Sequence, residues 1–172
     1  MQTITDKDIF TYPEFKNPEK YQKRITVKAI VQNKKNEFAF VTNNIHNHIL
    51  LPGGGAESKD LEQEIDRECR EEIFYSLKNV KELEKVREFR NRESKEYETT
   101  CYLAEINRKT TEDNRTIDER NNGLYVVWIN KDEAFKKMTT QMEKLKKGKI
   151  KFYNTAFDIF RDYHFFKEYL KK

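Results

Sequence analysis

Cysteine, proline and glycine are scarce in this sequence, and the scarcity of cysteine already excludes some classes of protein. The chain of 172 residues has two cysteines, three prolines and five glycines. Cys69 and Cys101 lie far apart and form no Cys-x-x-Cys pair, which argues against a disulfide framework and a zinc ribbon. We therefore expect reduced thiols in an intracellular protein, with Cys69 as a small buried apolar residue.

Long apolar runs are also missing. No window approaches the roughly 18 apolar residues that span a bilayer, and the start, MQTITDKDIF, has no basic segment followed by an apolar one. We expect a cytoplasmic protein with no membrane partner. The 34 basic and 30 acidic residues nearly balance, so the composition gives no clear indication of a nucleic-acid partner.

What is present predicts one folded domain over residues 1–172. A hydrophobic content of 36% and an aromatic content of 13% are sufficient for a core. The segment Arg24 to Gln32 alternates and is rich in β-branched residues, so it predicts a strand. EFAFVT, after a turn at 33–36, predicts its hairpin partner, and HILLPGGG predicts a further strand that ends at a turn.

Glycine and proline then disappear from a long stretch of the chain. VKELEKVREFRNR and KEYETTCYLAEI predict two long strands joined near Glu93 and Ser94, although the first segment is also compatible with a helix. Residues 107–123 predict a polar loop, LYVVWIN a buried strand, KDEAFKKM a short helix, and residues 153–171 a closing amphipathic helix. Strands and helices alternate, which predicts an α/β or α+β class.

Residues from about 60 to 75 predict a helix with one acidic face. Four apolar residues recur at intervals of four: Leu61, Ile65, Cys69 and Ile73. Glu68, Glu71 and Glu72 then fall within an arc of roughly 100°. Because each like-charged pair costs an isolated helix a few tenths of a kcal/mol, the face requires counter-charges, which Arg67 and Arg70 supply in part, or a bound cation.

Clustered carboxylates are suited to a hard cation such as Mg²⁺ or Mn²⁺, which prefers oxygen ligands and often shares them with phosphates. The three glycines before the helix, residues 53–55, would let backbone groups approach a metal or a phosphate closely. The plain alternative is a solvated charged face, which is the usual meaning of a charge run on a helix.

The whole segment LPGGGAESKDLEQEIDRECREEI resembles the signature of the Nudix hydrolase family, the Nudix box. In that signature a glycine and a spaced glutamate precede Arg-Glu-apolar-any-Glu-Glu, and Arg67 to Glu72 match this last part completely. The flanking elements agree in order. The resemblance therefore covers the chain from about Arg24, with residues 1–23 as an N-terminal extension and residues 53–75 as the box.

Two positions depart from the signature. Counted from Gly54, the spacing to Arg67 is one residue shorter than usual, so the spaced glutamate falls near Lys59 or Asp60, and Asp60 is assigned to it. Phe74 stands at the usual glycine. Since a bulky residue resists a positive φ, we expect the helix to run on or to end without a left-handed residue.

The resemblance implies a Nudix-type α/β/α sandwich with a mixed β-sheet, and Mg²⁺- or Mn²⁺-dependent hydrolysis of a nucleoside diphosphate linked to another group. The implied metal ligands are the Gly53 carbonyl, Glu68, Glu71 and Glu72. Glu68, Arg67 and Glu71 are the implied catalytic residues, with Arg67 orienting Glu68 through a salt bridge. Substrate contacts are assigned to Gly54, Gly55 and Glu57. The general base is Glu68 or a loop acid, with Glu112, Asp118 and Glu119 as the candidates.

Three functions remain open. The first is a pyrophosphohydrolase that acts on a small nucleotide, as a monomer or homodimer. The second is a Nudix-fold module that binds a nucleotide or RNA without hydrolysis. The third is a nonspecific anion-binding surface on the lysine-rich stretch 136–151. His46 and His48 would face one side of a strand and could share a metal, but no third ligand accompanies them.

Overall fold

Over the residues that the structure describes, the chain folds into a six-stranded mixed sheet with helices on both of its faces. A computed structural model describes residues 1–11, 15–43, 45, 47–110 and 123–172. Within these residues the strands are β1 (Gln2–Thr5), β2 (Gln22–Gln32), β3 (Glu37–Thr42), β4 (Tyr75–Arg90), β5 (Lys95–Lys109) and β6 (Tyr125–Asn130). The helices are α1 (Asp6–Ile9), α2 (Leu61–Glu72), α3 (Lys131–Lys146) and α4 (Tyr153–Leu170).

The strand order is β1-β4-β5-β2-β3-β6. Strands β1 and β4 are parallel, as are β5 and β2, while the other neighbouring pairs are antiparallel. The predicted pair of long strands is confirmed as β4 and β5, whose connection ends at Ser94 in a left-handed conformation. The predicted β2–β3 hairpin is also confirmed, with its turn at Asn33 to Asn36.

Each face of the sheet carries its own apolar core. On β2, Val27 and Ala29 pack in a cluster with Ile65 and Cys69 of α2. Ile30, which has the opposite orientation on the pleated strand, packs in a second cluster with residues of α3 and α4. The result is the predicted α/β/α sandwich, with α2 on one face and α3 and α4 on the other.

The first residues of the chain take part in the sheet. Strand β1 pairs in parallel with the end of β4, from Gln2 opposite Val86 to Thr5 opposite Phe89. Ile4 and Asp6 are almost fully buried, and the Asp6 carboxylate accepts a hydrogen bond from the Tyr153 hydroxyl of α4 at 2.6 Å. Residues 2–6 therefore extend the sheet at its β4 edge.

The strand predicted from HILLPGGG is wrong. Two isolated bridges form there, between Val41 and Leu50 and between Thr26 and Gly55, and buried side chains bind much of the remaining backbone of this segment. Gln141 of α3 bonds both the N–H and the carbonyl of Ile49, and Asp162 of α4 accepts from the Leu51 N–H at 2.8 Å. Side chains thus satisfy groups that a ladder would otherwise have paired.

Two helix predictions need correction. The helix predicted from KDEAFKKM extends to Lys146, because Met138, Met142 and Leu145 continue its buried stripe. The expectation that α2 avoids a left-handed ending is wrong, since Phe74 has φ 62°. Phe74 accepts this conformation while its carbonyl receives the Thr110 N–H at 2.8 Å, which ties the turn to the residue after β5.

Several predictions fall elsewhere. The loop acids Glu112, Asp118 and Glu119, and His46 with them, lie outside the described residues. In the part of the chain that the structure describes, none of the helices has both the length and the apolar composition that crossing a membrane requires.

Candidate active site

Helix α2 begins with a side-chain cap. Asp60 Oδ1 accepts a hydrogen bond from the Gln63 N–H at 3.1 Å, which satisfies one of the unpaired donors at a helix start. Ile65 and Cys69 are fully buried against the sheet. This anchoring fixes the rotation of the helix, so that its acidic face lies toward residues 53–55.

Arg67 is the centre of that acidic face. One nitrogen, Nη2, lies 2.7 Å from Glu68 Oε1 and 2.9 Å from Glu64 Oε2, and Nη1 lies 3.1 Å from Glu71 Oε2. Nη2 also donates to the Gly55 carbonyl at 3.1 Å. A single guanidinium therefore joins three carboxylates of α2 to the preceding loop.

Glu68 and Glu72 are directed at the glycines. Glu72 Oε2 accepts from the Gly53 N–H at 2.6 Å. A Cβ on Gly54 would lie 2.7 Å from Glu68 Oε2, so any other residue here would displace this carboxylate from its position. Both glutamates are 8% exposed, and the loop and the helix therefore bring two buried carboxylates to one short stretch of backbone.

Gly53 has the more demanding backbone of the two glycines. Its φ is 125°, and a Cβ there would lie 2.2 Å from the Val27 carbonyl oxygen. If the signature is counted from Gly53 instead of Gly54, the residue missing before Arg67 is restored. The spaced position then falls on Lys59 and not on Asp60, whose carboxylate serves as the helix cap.

Lys28 supplies a second cation at this site, one that the sequence motif does not include. Its Nζ donates to the Gly53 carbonyl at 2.6 Å and to the Leu51 carbonyl at 2.9 Å. The signal was present, since a lysine interrupts the apolar strand ITVKAIV. A lone charge in a strand whose neighbours are buried has to find a polar partner.

The motif does not include Glu64 either. It is 5% exposed, accepts from Arg67, and accepts from the Ser58 N–H at 3.1 Å. Its position three residues before Arg67 could have indicated this ion pair. Glu64 therefore belongs with Arg67, Glu68, Glu71 and Glu72 to one group, which we call the box cluster.

Burial and ion pairing act on these groups in opposite directions. Burial raises the pKa of Glu68, and Arg67 opposes the rise only in part. For Glu64, burial is outweighed by hydrogen bonds from Arg67, from the Glu57 backbone and from the Ser58 side chain, and its pKa is lowered. Burial disfavours the charge of Arg67, but its carboxylate partners raise its pKa above the ordinary value. Arg67 is therefore charged at every pH of interest, whereas burial disfavours the ionised form of Glu68.

The donor set suits a hard divalent cation in its chemistry. Carboxylates of Glu68, Glu71 and Glu72 and the Gly53 carbonyl are all oxygen donors, as Mg²⁺ and Mn²⁺ prefer. Among the described residues, however, no three acidic, histidine or cysteine side chains converge on one point, because Arg67 and Gly53 bind these carboxylates. In the chemistry of their donor atoms, the residues therefore suit such an ion.

The remaining predicted residues have these positions. Gly54 and Gly55 contact Glu68 and Arg67 as described, and Glu57 lines a cavity beside the loop. The lysines of the basic stretch 136–151 are exposed. His48 is described, but without its neighbour at position 46 the histidine pair stays a prediction.

Comparison with solved structures identifies the fold. The structure resembles a Nudix hydrolase from Nitrosomonas europaea, with a TM-score of 0.56 and 15% identity over 83% of this chain and 89% of that one. It also resembles a MutT protein from Bacillus halodurans, with a TM-score of 0.53 and 16% identity over 66% and 72%. A third is a MutT Nudix hydrolase from Burkholderia pseudomallei, with a TM-score of 0.52 and 17% identity over 64% and 85%.

Sequence comparison alone finds no such likeness: no protein-family model matches the chain, and no curated protein does. The fold evidence therefore comes from the structure, where helix α2 and its preceding glycine loop, a mixed sheet and flanking helices occur together. These neighbours confirm the fold that the segment from Leu51 to Ile73 predicted, and the chain has the fold of the Nudix hydrolases.

Proposed function

We propose that the chain is a divalent-metal-dependent hydrolase that cleaves the pyrophosphate linkage of a nucleoside diphosphate joined to another group. One observation carries the proposal. The box cluster has four carboxylates and one arginine, and two of the carboxylates, Glu68 and Glu72, are buried against Gly53 and Gly54. Such an anionic surplus has a function if it holds a metal ion that binds phosphates.

In this proposal Glu68, Glu71, Glu72 and the Gly53 carbonyl hold the ion, which is Mg²⁺ or Mn²⁺. When bound, such an ion neutralises charge on the bridging phosphates and lowers the pKa of a bound water. Arg67 orients Glu68 through their 2.7 Å contact. Gly54 and Gly55 leave the backbone open to a phosphate, because neither carries a side chain.

The base that activates water is assigned to Glu68. Burial raises the pKa of Glu68, which brings it closer to the operating range of a general base near neutral pH. The loop acids Glu112, Asp118 and Glu119 stay as alternative candidates. The pH profile of kcat/KM separates these assignments. The profile should lose its acidic limb in Glu68→Gln if Glu68 is the base, and in a variant of one loop acid if that acid is the base.

A second function is favoured by one specific observation. Arg67 already pairs with Glu68 and Glu71, and Lys28 already donates to the Gly53 carbonyl. These contacts satisfy most of the implied metal ligands without a metal. The alternative is therefore a module that binds a nucleotide or RNA and does not hydrolyse it.

The thiols support the proposal of a reducing compartment. Cys69 and Cys101 are free and buried, and burial raises the pKa of both well above the ordinary value. They are inert and unpaired, which supports a reducing compartment such as the cytoplasm. Whether the protein acts as a monomer or a homodimer stays a prediction.

The test is a phosphate-release assay over a panel of nucleotides, with pyrophosphatase added and with Mg²⁺, Mn²⁺ or excess EDTA. We expect hydrolysis of at least one diphosphate-containing nucleotide, only with a divalent ion. Glu72→Gln should reduce the rate on the order of 100-fold, because it removes a charged ligand while the amide oxygen can still accept from Gly53.

Glu62→Gln is the matched control, since Glu62 is an exposed glutamate of the same helix. It should retain the wild-type rate. Turnover that persists in EDTA would contradict the metal dependence. Silence across the panel, with nucleotide binding retained, would favour the non-hydrolysing module.

A further inference from the structure

A basic cavity lies beside the glycine loop. Its volume is about 470 Å³, which is within the range of small-ligand sites. The start of β2, the loop after Gly55 and the start of β5 line it. Its charged side chains are Lys23, Arg24, Lys59 and Lys95, with Glu57 as the single carboxylate.

Two of these cations are uncommitted. Within the described residues, the side chains of Arg24 and Lys59 form no hydrogen bond or ion pair. Lys23 has only a contact of 4.0 Å with Glu96, and its side chain is 71% exposed. Exposed ion pairs of this kind are weak. Breaking them costs little free energy when these side chains bind an anionic ligand.

The cavity and the box cluster meet at Gly55. Arg24 Nη2 lies 3.1 Å from the position that a Cβ of Gly55 would occupy. The carbonyl of the same residue accepts from Arg67 Nη2, which pairs with Glu68. One residue of backbone therefore separates the free guanidinium of Arg24 from the cluster at which the chemistry is proposed.

From this arrangement we infer that the cavity binds the phosphates of the substrate that lie beyond the cleaved linkage. The inference rests on the proposed function and narrows its substrate class to nucleoside triphosphates and longer polyphosphates, whose second group is itself anionic. A guanidinium matches phosphate oxygens with two parallel donors. In a nucleotide sugar the group beyond the two phosphates is neutral, so it would bring fewer anionic oxygens to Arg24 and Lys59 than a triphosphate does.

The first experiment measures binding without hydrolysis. Inorganic tripolyphosphate is titrated by calorimetry into the full chain in EDTA, for the wild type and for the double variant Arg24→Gln/Lys59→Gln. The wild type should bind, and the variant should bind about tenfold more weakly or worse, because hydrogen bonds to a charged group are lost. All residues changed are exposed, so the fold should persist, which circular dichroism checks.

The control is Lys144→Gln/Lys147→Gln, which removes the same charge from exposed residues of the lysine-rich stretch. Its affinity should stay within twofold of the wild type. An equal loss in both variants would attribute binding to net charge and overturn the inference. No binding by the wild type, or no loss in the cavity variant, would overturn it as well.

The second experiment separates this inference from the proposed function. The hydrolysis of UTP and of UDP-glucose is compared with Mg²⁺ or Mn²⁺. UTP should be preferred, and the cavity variant should raise KM for UTP about tenfold while KM for UDP-glucose changes little. A preference for UDP-glucose that the variant leaves intact would overturn the inference and leave the proposed function standing. Absence of all hydrolysis beside intact tripolyphosphate binding would contradict the proposed function alone.

Discussion

Two clusters of charged side chains lie on opposite faces of the sheet. Their charge balance and exposure differ, and this difference distinguishes a candidate binding site from a cluster that stabilises the fold. The box cluster has four carboxylates for one arginine, and the side chain of that arginine is 32% exposed. The second group, which we call the α4 cluster, has three acids and two arginines. Its members are Glu88, Arg90, Asp158, Arg161 and Asp162.

The α4 cluster is nearly balanced in charge, and all of its members except Asp158 are buried. The arginine side chains are 3% and 4% exposed, and Arg90 also lies over the rings of Tyr97 and Phe157. Asp162 accepts a hydrogen bond from the Leu51 N–H, so the α4 cluster anchors the segment that precedes the glycine loop. A balanced, closed cluster fixes structure, whereas an open one with surplus charge can bind a cation. The two clusters should therefore respond differently to the same change.

The largest expected effect is a loss of stability when an arginine of the α4 cluster is replaced. Arg161→Met removes contacts of 3.0 Å with Asp162 and 3.2 Å with Asp158. Breaking a buried ion network by removing one partner costs about 3–5 kcal/mol, which for a domain of this size lowers Tm by roughly 10 °C. Thermal and urea unfolding measure the loss.

Arg67→Met is the counterpart in the box cluster. Its unfolding free energy should fall by less than half as much, because position 67 and Glu71 are partly exposed and water there screens the carboxylates left unpaired. Added Mg²⁺ should restore part of the loss in Arg67→Met and none in Arg161→Met. Equal losses without any rescue would mean that both clusters are structural.

The next effect concerns Lys28, the cation that lies between the two clusters. For both Glu68 and Asp158, burial opposes ionisation, and nearby arginines and Lys28 favour it. Lys28→Met keeps the length of the side chain but leaves the Leu51 and Gly53 carbonyls without their donor. We expect a loss of about 1–3 kcal/mol in unfolding free energy, measured in urea.

Lys34→Met provides the control for Lys28, since Lys34 is an exposed lysine in the turn after the same strand. Its effect should stay within about 0.5 kcal/mol. A Lys28 variant as stable as the wild type would show that water can replace the ammonium at both carbonyls, and that Lys28 is not part of the support of the loop.

Periodicity made much of this predictable. The stripe of α2 and the alternation of β2 depend on neighbouring residues, so the helix, the hairpin and the shared face of Glu68, Glu71 and Glu72 follow from spacing. The contacts that hold the loop do not. Lys28 reaches Gly53 across 25 positions, and Asp162 reaches Leu51 across 111.

The same contacts explain why the strand prediction for residues 48–55 was wrong. An apolar run such as Ile49 to Leu51 is compatible with any buried extended segment, and its spacing contains no information about which groups bind its backbone. Here two side chains, Gln141 and Asp162, bind the N–H groups of Ile49 and Leu51. Only the packing of α3 and α4 against the sheet determines that outcome.

Phe74 stands where the signature has glycine, and the sequence shows this difference. The sequence did not determine the backbone conformation of the residue. With φ 62°, a residue with a Cβ pays roughly 1–2 kcal/mol that glycine avoids. Phe74→Gly should therefore be more stable than Phe74→Ala by about 1 kcal/mol, measured by Tm and urea midpoint. Elsewhere in a helix or strand alanine would be the more stable of the two.

The comparison of glycine with alanine removes the effect of the lost ring, because both variants lose it. Alanine equal to or better than glycine would show that residue 74 is not left-handed in solution and that α2 runs on as the sequence predicted. A matched pair at exposed Glu62, with glycine the less stable of the two by roughly 0.5–1 kcal/mol, gives the ordinary helical order.

The smallest expected effect is a pH dependence at Glu68, and it tests whether the box cluster is strained without a metal. Because burial raises the pKa of Glu68 above its ordinary value, the stability linked to its protonated form is fully present below the unfolded pKa. It is lost as pH rises through the folded pKa.

Glu68→Gln resembles the protonated form at every pH. In EDTA, the Tm of the variant minus that of the wild type should therefore become more positive from pH 4 to pH 7.5, and Glu62→Gln, a substitution at an exposed position of the same helix, is the control. With Mg²⁺ at pH 7.5 the difference should shrink, because the ion stabilises the ionised carboxylate by binding the folded state. A difference that falls as pH rises would mean that Arg67 more than offsets the burial of Glu68, and the box cluster would then be as well supported as the α4 cluster.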